Sequence, residues 1–258
     1  MEAQRAVVVV GAGPSGVAAA LAAAESGPAV LLDERPDRAD PDALAAAGVE
    51  YLPNTAVWAL FDGPVVAAFD NERALEIAGG AVVIATGGVE RVWPSLGWER
   101  DGARPSARLG RLPDAGLALQ ARVASAFDRR ALIERPLLAA DGATSLRGVF
   151  VAGEAAGVTG DNAARDHGAT AGRAAARVAA GGEQSTELAD PADLDLPPLP
   201  LPTDPATVID RYQGVDLATL RAAIADGAFD VNDLRRRTRA GMGPGREILP
   251  VLAALMLD

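Results

Sequence analysis

Short unbroken apolar runs alternate with longer alanine-rich stretches over the first 180 positions of the chain. The run Val7–Val10 is four consecutive valines, which predicts a strand buried on both faces. Glycines at 11, 13 and 16 follow, and an alanine-rich helix is predicted over 17–25. The next strand, AVLLDE, leads into the loop RPDRADPDALAAAG, with a short helix ending at Gly48. Then VEYL, AVWALF, PVVAAF and ALEIAG read as four short strands of a small antiparallel meander, with turns at Asp62–Gly63 and Asp70–Asn71. A buried strand returns at AVVIATGG (Ala81 to Gly88). The stretch 92–111 reads as loop, 114–127 as a helix, and 131–133 as a strand. A further buried strand, GVFVAGE, precedes a long Ala/Gly helix that runs to about Ala180.

Beyond Gly181 the pattern changes. Residues 183–205 are rich in Pro, Asp and Glu, with PPLPLP inside, which predicts an extended linker. The segments DLATLRAAIADG, DVNDLRRRTRA and REILPVLAALM predict short helices, divided by Gly227 and GMGPG. The organisation expected is a nucleotide-binding domain over 1–182, a linker over 183–205 and a helical unit over 206–258.

Strand, glycine turn and helix are the context in which G-x-G-x-x-G binds a dinucleotide. Gly11 serves the tight turn, Gly13 the approach of the pyrophosphate and Gly16 the helix–strand packing. The helix N-terminus offers unpaired N–H groups to the phosphates. Asp33 stands about 20 positions beyond Gly11, where an acid meets the ribose hydroxyls, and Glu34 is the adjacent substitute. Without a ligand, the same pattern is a tight turn of an α/β sheet.

Composition narrows the chemistry. A net charge of −11 over 258 residues argues against a nucleic-acid surface. All 24 basic residues are arginines, so lysine chemistry is excluded. With no cysteine, disulfides, thiolate metal sites and cysteine nucleophiles are excluded as well. The first strand begins within about five residues of Met1, leaving no room for a signal peptide, and no apolar run reaches the ~18 residues of a membrane span. A soluble, cytoplasmic protein is expected.

GAGPSG with DE, then VVIATGG, then GVFVAGE before a Gly/Ala helix resemble, in that order, the two-dinucleotide flavoproteins. GVERVWPSLGW and LRRRTRAGMGPG are similar to α subunits of heteromeric FAD-dependent amine and amino-acid dehydrogenases, the group of hydrogen cyanide synthase, opine oxidase and hydroxyproline dehydrogenase. The resemblance implies a Rossmann-like FAD/NAD(P)-binding fold with a small all-α C-terminal domain. It implies FAD as cofactor, with ATP, ADP or NAD as alternatives. Gly11, Gly13, Pro14, Ser15, Gly16, Asp33, Glu34 and Arg35 would contact the ADP half, Thr86 and Gly87 would border it, and Gly153 and Glu154 would lie toward the flavin. Substrate oxidation would fall to an amino-acid-oxidase-type β subunit, in a heterodimer or heterotetramer.

Departures from that pattern are informative. The span between Gly87 and Gly153 is shorter than the roughly 100 residues of a nucleotide domain, and it carries no second glycine fingerprint. The nicotinamide domain is missing. The loop after Glu34 lacks the glycine pair usual along the cofactor, and Glu154 replaces an Asp. In the C-terminal unit, Asp210 and Tyr212 stand where a Cys-x-Cys pair of a [2Fe–2S] domain would fall, and the second pair would lie around Gly245 and Ile248. No thiolate is left to hold a cluster.

Other polar candidates have a structural reading beside the chemical one. His167, the only histidine, reads as a general base or flavin neighbour, or as a surface or cap residue. Asp161 and Asn162 read as helix N-caps first and ligand contacts second. Arg235–Arg239 reads as a solvated helix face or as an interface. Trp58, Trp93 and Trp98 read as packing or interface anchors.

Overall fold

The computed structural model describes residues 6–91, 94, 110–194, 196, 201–243 and 248–257. In chain order the elements are β1 (Val7–Val10), α1 (Pro14–Ala24), β2 (Ala29–Leu32), α2 (Pro41–Ala46), β3 (Val49–Leu52), β4 (Ala56–Phe61), β5 (Val65–Phe69), β6 (Ala74–Ala78) and β7 (Ala81–Ile84). There follow β8 (Gly88–Glu90), β9 (Arg111–Pro113), α3 (Gly116–Gln120), β10 (Ser125–Asp128), β11 (Ile133–Pro136), β12 (Val149–Val151), a 3-10 turn (Gly153–Ala156) and α4 (Asp161–Ala179). The last are β13 (Val208–Asp210), β14 (Val215–Asp216), α5 (Leu217–Ala225), α6 (Val231–Thr238) and α7 (Leu249–Leu257). Trp93, Trp98 and Gly245 lie outside the described residues.

The chain divides into two compact units. One comprises 1–88, 113–127 and 134–193; the other comprises 89–112, 128–133 and 194–258. In the first, five strands form a sheet in the order β12-β7-β1-β2-β3, every neighbouring pair parallel. Alternation along β1 sorts its valines between two layers. Val7 and Val9 pack with Ala19, Ala23, Ala171 and Ala175 of α1 and α4. Val8 and Val10 pack with Leu60, Val66 and Ala68 of the antiparallel β4-β5-β6 meander. Four consecutive valines therefore report two apolar faces, each buried side chain contributing about 1.5–3 kcal/mol.

The two helices lie almost backbone to backbone. A Cβ added at Gly168 would strike the carbonyl of Ser15, and one at Gly172 the carbonyl of Ala19. Only glycine at these two positions lets α4 lie this close to α1.

Three expectations need correction. VEYL is not part of the meander: it is β3, the parallel edge strand, with Ala29 opposite Val49 and Leu32 opposite Leu52. Its alternation fits either partner, and the turn through α2 returns it parallel to β2. The helix expected over 114–127 is only α3. Arg122 adopts φ +64° just after it, and the following chain buries Val123 in the core before entering β10. The strand expected over 131–133 begins at Ile133, because Leu132 at φ +59° ends a turn.

Residues 183–188 are held against the first unit. Gln184 Nε2 donates to the carbonyls of Thr144 (2.9 Å) and Leu146 (3.0 Å), and Ser185 Oγ donates to Asp141 Oδ2 at 2.7 Å. The stretch read as a linker is therefore anchored at its beginning.

In the second unit, α5, α6 and α7 enclose Ile209, Leu217, Leu220, Leu234, Val251 and Leu252, with β13 and β14 forming a short antiparallel ladder. Asp216 and Asp230 cap α5 and α6 by accepting the N–H groups of Thr219 and Asp233. Arg235 and Arg237 are drawn inward: Arg235 Nη2 donates to the Gly241 carbonyl (2.9 Å), and Arg237 pairs with Asp233 (2.9 Å). Among the described residues, no helix is long and apolar enough to cross a membrane.

Candidate functional site

The first unit gathers the expected site residues at the carboxyl ends of adjacent strands, where ligands of open α/β sheets bind. The turn after β1 contains the three glycines, and their reasons differ. Gly11 adopts φ +103°, and a Cβ there would run into the carbonyl of Ala85. A Cβ at Gly16 would collide with the carbonyl of Gly11. Gly11 is fixed by its backbone conformation as well as by packing, Gly16 by packing.

Gly13 is different. Its backbone is extended (φ −70°, ψ −179°), a conformation open to any residue, and a Cβ there meets nothing within 4 Å. The space above Gly13 is a cradle that a side chain would fill. Pro14 opens α1 at its first position, and no side chain caps the helix N-terminus. The bare N–H groups of the first turn and the positive end of the helix dipole thus face that cradle.

Asp33 is engaged by the backbone around it. It is buried, and its Oδ2 accepts the Ala12 N–H at 2.5 Å while Oδ1 accepts the Arg35 N–H at 2.7 Å. The carboxylate braces the glycine turn against the end of β2. Glu34 is exposed, with a surface contact of 3.7 Å to Arg35.

Across the sheet, Thr86 Oγ1 donates to the Asp114 carbonyl, fixing the loop after β7. Gly87 follows at φ +82°, and a Cβ there would lie 3.7 Å from Glu154 Oε2. Gly153 (φ +64°) opens the 3-10 turn after β12, and a Cβ on it would strike the buried Ser15 side chain. Gly11, Gly13, Pro14, Ser15, Gly16, Thr86, Gly87, Gly153 and Glu154 thus form one rim, with Asp33, Glu34 and Arg35 at the end of β2. Asp161 and Asn162 are not caps: α4 is capped at Gly160, Asp161 is its first residue, and Asn162 Oδ1 accepts from Arg165 Nη1 at 3.3 Å.

The role of His167 could not be read from spacing. Its Nδ1 accepts the Gly153 N–H at 3.1 Å, tying α4 to the turn that carries Glu154. Burial holds its pKa below the ordinary histidine value, against a smaller opposing pull from Asp141. The neutral ring is the form that can accept at Nδ1. The unfolded chain takes up a proton as pH falls through about 6.5, while the folded chain resists it, so stability drops below that pH. His167→Asn, which offers an oxygen in place of Nδ1 and does not titrate, should remove this drop. Melting curves of both proteins between about pH 5 and pH 8 check it; parallel pH dependences would refute the assignment.

A cleft of about 470 Å³, missed in the sequence, runs from Gly13 along α1 past Val17 and Leu21 and is flanked by Arg38 and Arg165. Asp40 caps α2 here, accepting the N–H groups of Asp42 and Ala43, where the glycine pair was absent. The sequence carries the cleft's two arginines apart, Arg38 in RPDRAD and Arg165 in AARDHG, with nothing to join them. Among the described residues, no group of three or more His, Cys, Asp or Glu is placed to hold a metal ion.

No protein-family model and no curated protein matches the sequence. Solved structures do match the fold. The L-proline dehydrogenase of P. horikoshii superposes with a TM-score of 0.69 at 16% identity, over 98% of this chain and 74% of the other. The NAD-dependent persulfide reductase of A. fulgidus gives 0.56 at 11% identity, covering 65% and 58%. A water-forming NADH oxidase of Lactobacillus brevis, bound to NADH, gives 0.54 at 12%, covering 66% and 69%. Parallel sheet, meander and glycine turn together are those of the Rossmann-like α/β fold of FAD/NAD(P)-binding proteins.

Proposed function

We propose that this chain is the nucleotide-binding α subunit of a flavin-dependent amine or amino-acid oxidoreductase, holding FAD by its ADP half. The observation that carries the reading is Gly13: a glycine required by neither backbone nor packing, at the uncapped N-terminus of α1. The first-turn amides would hold the pyrophosphate, Glu34 would accept from the ribose hydroxyls, and Thr86 and Gly87 would border the nucleotide. Gly153 and Glu154, positioned by His167, would face its far end. FAD when bound supplies a hydride acceptor. Oxidation of the C–H beside an amine is assigned to an amino-acid-oxidase-type partner subunit, since His167 Nδ1 is engaged by the Gly153 N–H.

A second reading is favoured by one feature. Arg38 and Arg165 flank the cleft beside Gly13, and guanidinium groups there suit further phosphates better than an uncharged ribityl chain. On that reading the chain holds ATP, ADP or NAD in a structural or regulatory role. The test is to purify the chain alone and co-expressed with its partner subunit, denature it, and identify what is released. FAD in amounts matching this chain is the expected result, and ATP, ADP or NAD instead establishes the second reading. Release of nothing from either preparation overturns both.

A further inference from the structure

The meander has a second face. Leu60, Val66 and Ala68 turn inward to the core, while the paired positions Phe61–Val65–Ala78, Ala59–Ala67–Glu76 and Ala56–Phe69–Ala74 lie on the other side. An antiparallel sheet with one face on the core normally carries polar residues on the other. Here Glu76 is the only polar residue among those nine positions. Trp58, at the irregularity between Val57 and Ala59, packs edge-on against Phe61 with ring centroids 6.1 Å apart. Trp58 is 58% exposed, Phe61 53% and Phe69 44%. Ala59 and Ala67, at the centre of this side, are buried, and the exposed aromatics around them have the composition of an interface core.

The charges around this face discriminate between occupants. Asp62 at the β4–β5 turn, Glu72 at the β5–β6 turn and Glu76 on β6 have no basic partner among the described residues, and Arg73 is already paired with Asp70 at 3.1 Å. A second copy docked face to face would bring these carboxylates against their own counterparts, in a chain of net charge −11. Like charges opposed across an interface cost several kcal/mol.

We propose that the outer face of the β4-β5-β6 meander is the docking surface for a different protein chain, whose contact patch is apolar at its centre and carries Lys or Arg at its margin. Trp58, Phe61 and Phe69 are the anchors, and Asp62, Glu72 and Glu76 set the register and the partner's sign. The assignment holds whether or not a nucleotide occupies the α1 turn.

The test places p-benzoylphenylalanine at Phe61 in the full chain, irradiates the cells that naturally make the protein, and maps the crosslinked residues by mass spectrometry. The expected crosslink joins one other protein at an apolar patch bordered by Lys or Arg. The combined Glu72→Lys and Glu76→Lys variant, altered only at exposed side chains, should reduce its yield about tenfold. Trp58→Ser should reduce it at least as much by removing an aromatic anchor. A crosslink to a second copy, a crosslink to a patch with an acidic or uncharged margin, no crosslink, or charge-reversed chains that label as well as the original would each overturn the proposal.

Discussion

Gly13→Val should abolish nucleotide binding while leaving the melting temperature within a degree or two of that of the nucleotide-free original chain. The two halves of that result come from the same observation. The Gly13 backbone is extended, and a Cβ there meets nothing within 4 Å, so the fold tolerates a side chain at this position. The same side chain would stand where a pyrophosphate must approach the first turn of α1. Each charge-assisted hydrogen bond lost is worth about 1.5–3 kcal/mol, and losing two lowers affinity by roughly a hundredfold or more. Quantifying released nucleotide and recording a thermal melt on one preparation checks both halves. Gly16→Val is the contrasting control: its Cβ would strike the Gly11 carbonyl, so it should fail to fold rather than fold empty. Retention of nucleotide by a folded Gly13→Val chain would place the site elsewhere.

The second large effect is expected far from that turn, at Asp210. Asp210 Oδ1 accepts the N–H groups of Tyr212 (2.9 Å) and Gln213 (3.1 Å), and Oδ2 accepts that of Gly241 (2.7 Å). The side chain is buried, and it joins the loop after β13 to the one after α6. Where the resemblance implied a cysteine ligand to a cluster, a carboxylate now gathers backbone donors that would otherwise be unsatisfied. Asp210→Ala strands three N–H groups and should cost the second unit about 3–5 kcal/mol, a large share of a typical domain stability of about 5–15 kcal/mol. Asp210→Asn keeps one acceptor oxygen and should lose roughly half as much. Helical melting followed by circular dichroism, with amide exchange at Gly241, would detect this. An Asp210→Ala chain as stable as the original would show that the hub carries no load.

How legible each feature was depended on its range. The β1 turn, the acid at the end of β2 and the buried strands β7 and β12 announce themselves because their physics is local: valine runs, glycine spacing and a helix that begins at once. Which acid does which work was not legible. Asp33 and Glu34 are neighbours, and only the fold shows that Ala12 donates to the first and leaves the second in solvent. VEYL was misplaced because period-two alternation carries no information about whether the partner runs parallel. Helix α3 was overextended because nothing in QARVAS marks a left-handed residue when that residue is an arginine. His167 and Asp210 act through backbone groups 14 and 31 positions away, a distance at which residue type alone identifies no partner. The cleft beside α1 depends on α2 and α4 together, and neither segment signals it alone.

The contact of α4 with α1 also bears on how the chain is made. Gly168 and Gly172 reach Ser15 and Ala19 only after the roughly 150 residues between them have been synthesised. Until then only α1 covers that side of β1 and β2, and β12 has not yet reached the edge of β7. Parallel strands joined by such distant segments close slowly. While that contact is open, the alanine stripe of α1 that α4 covers is exposed, a surface that favours chaperone engagement before closure.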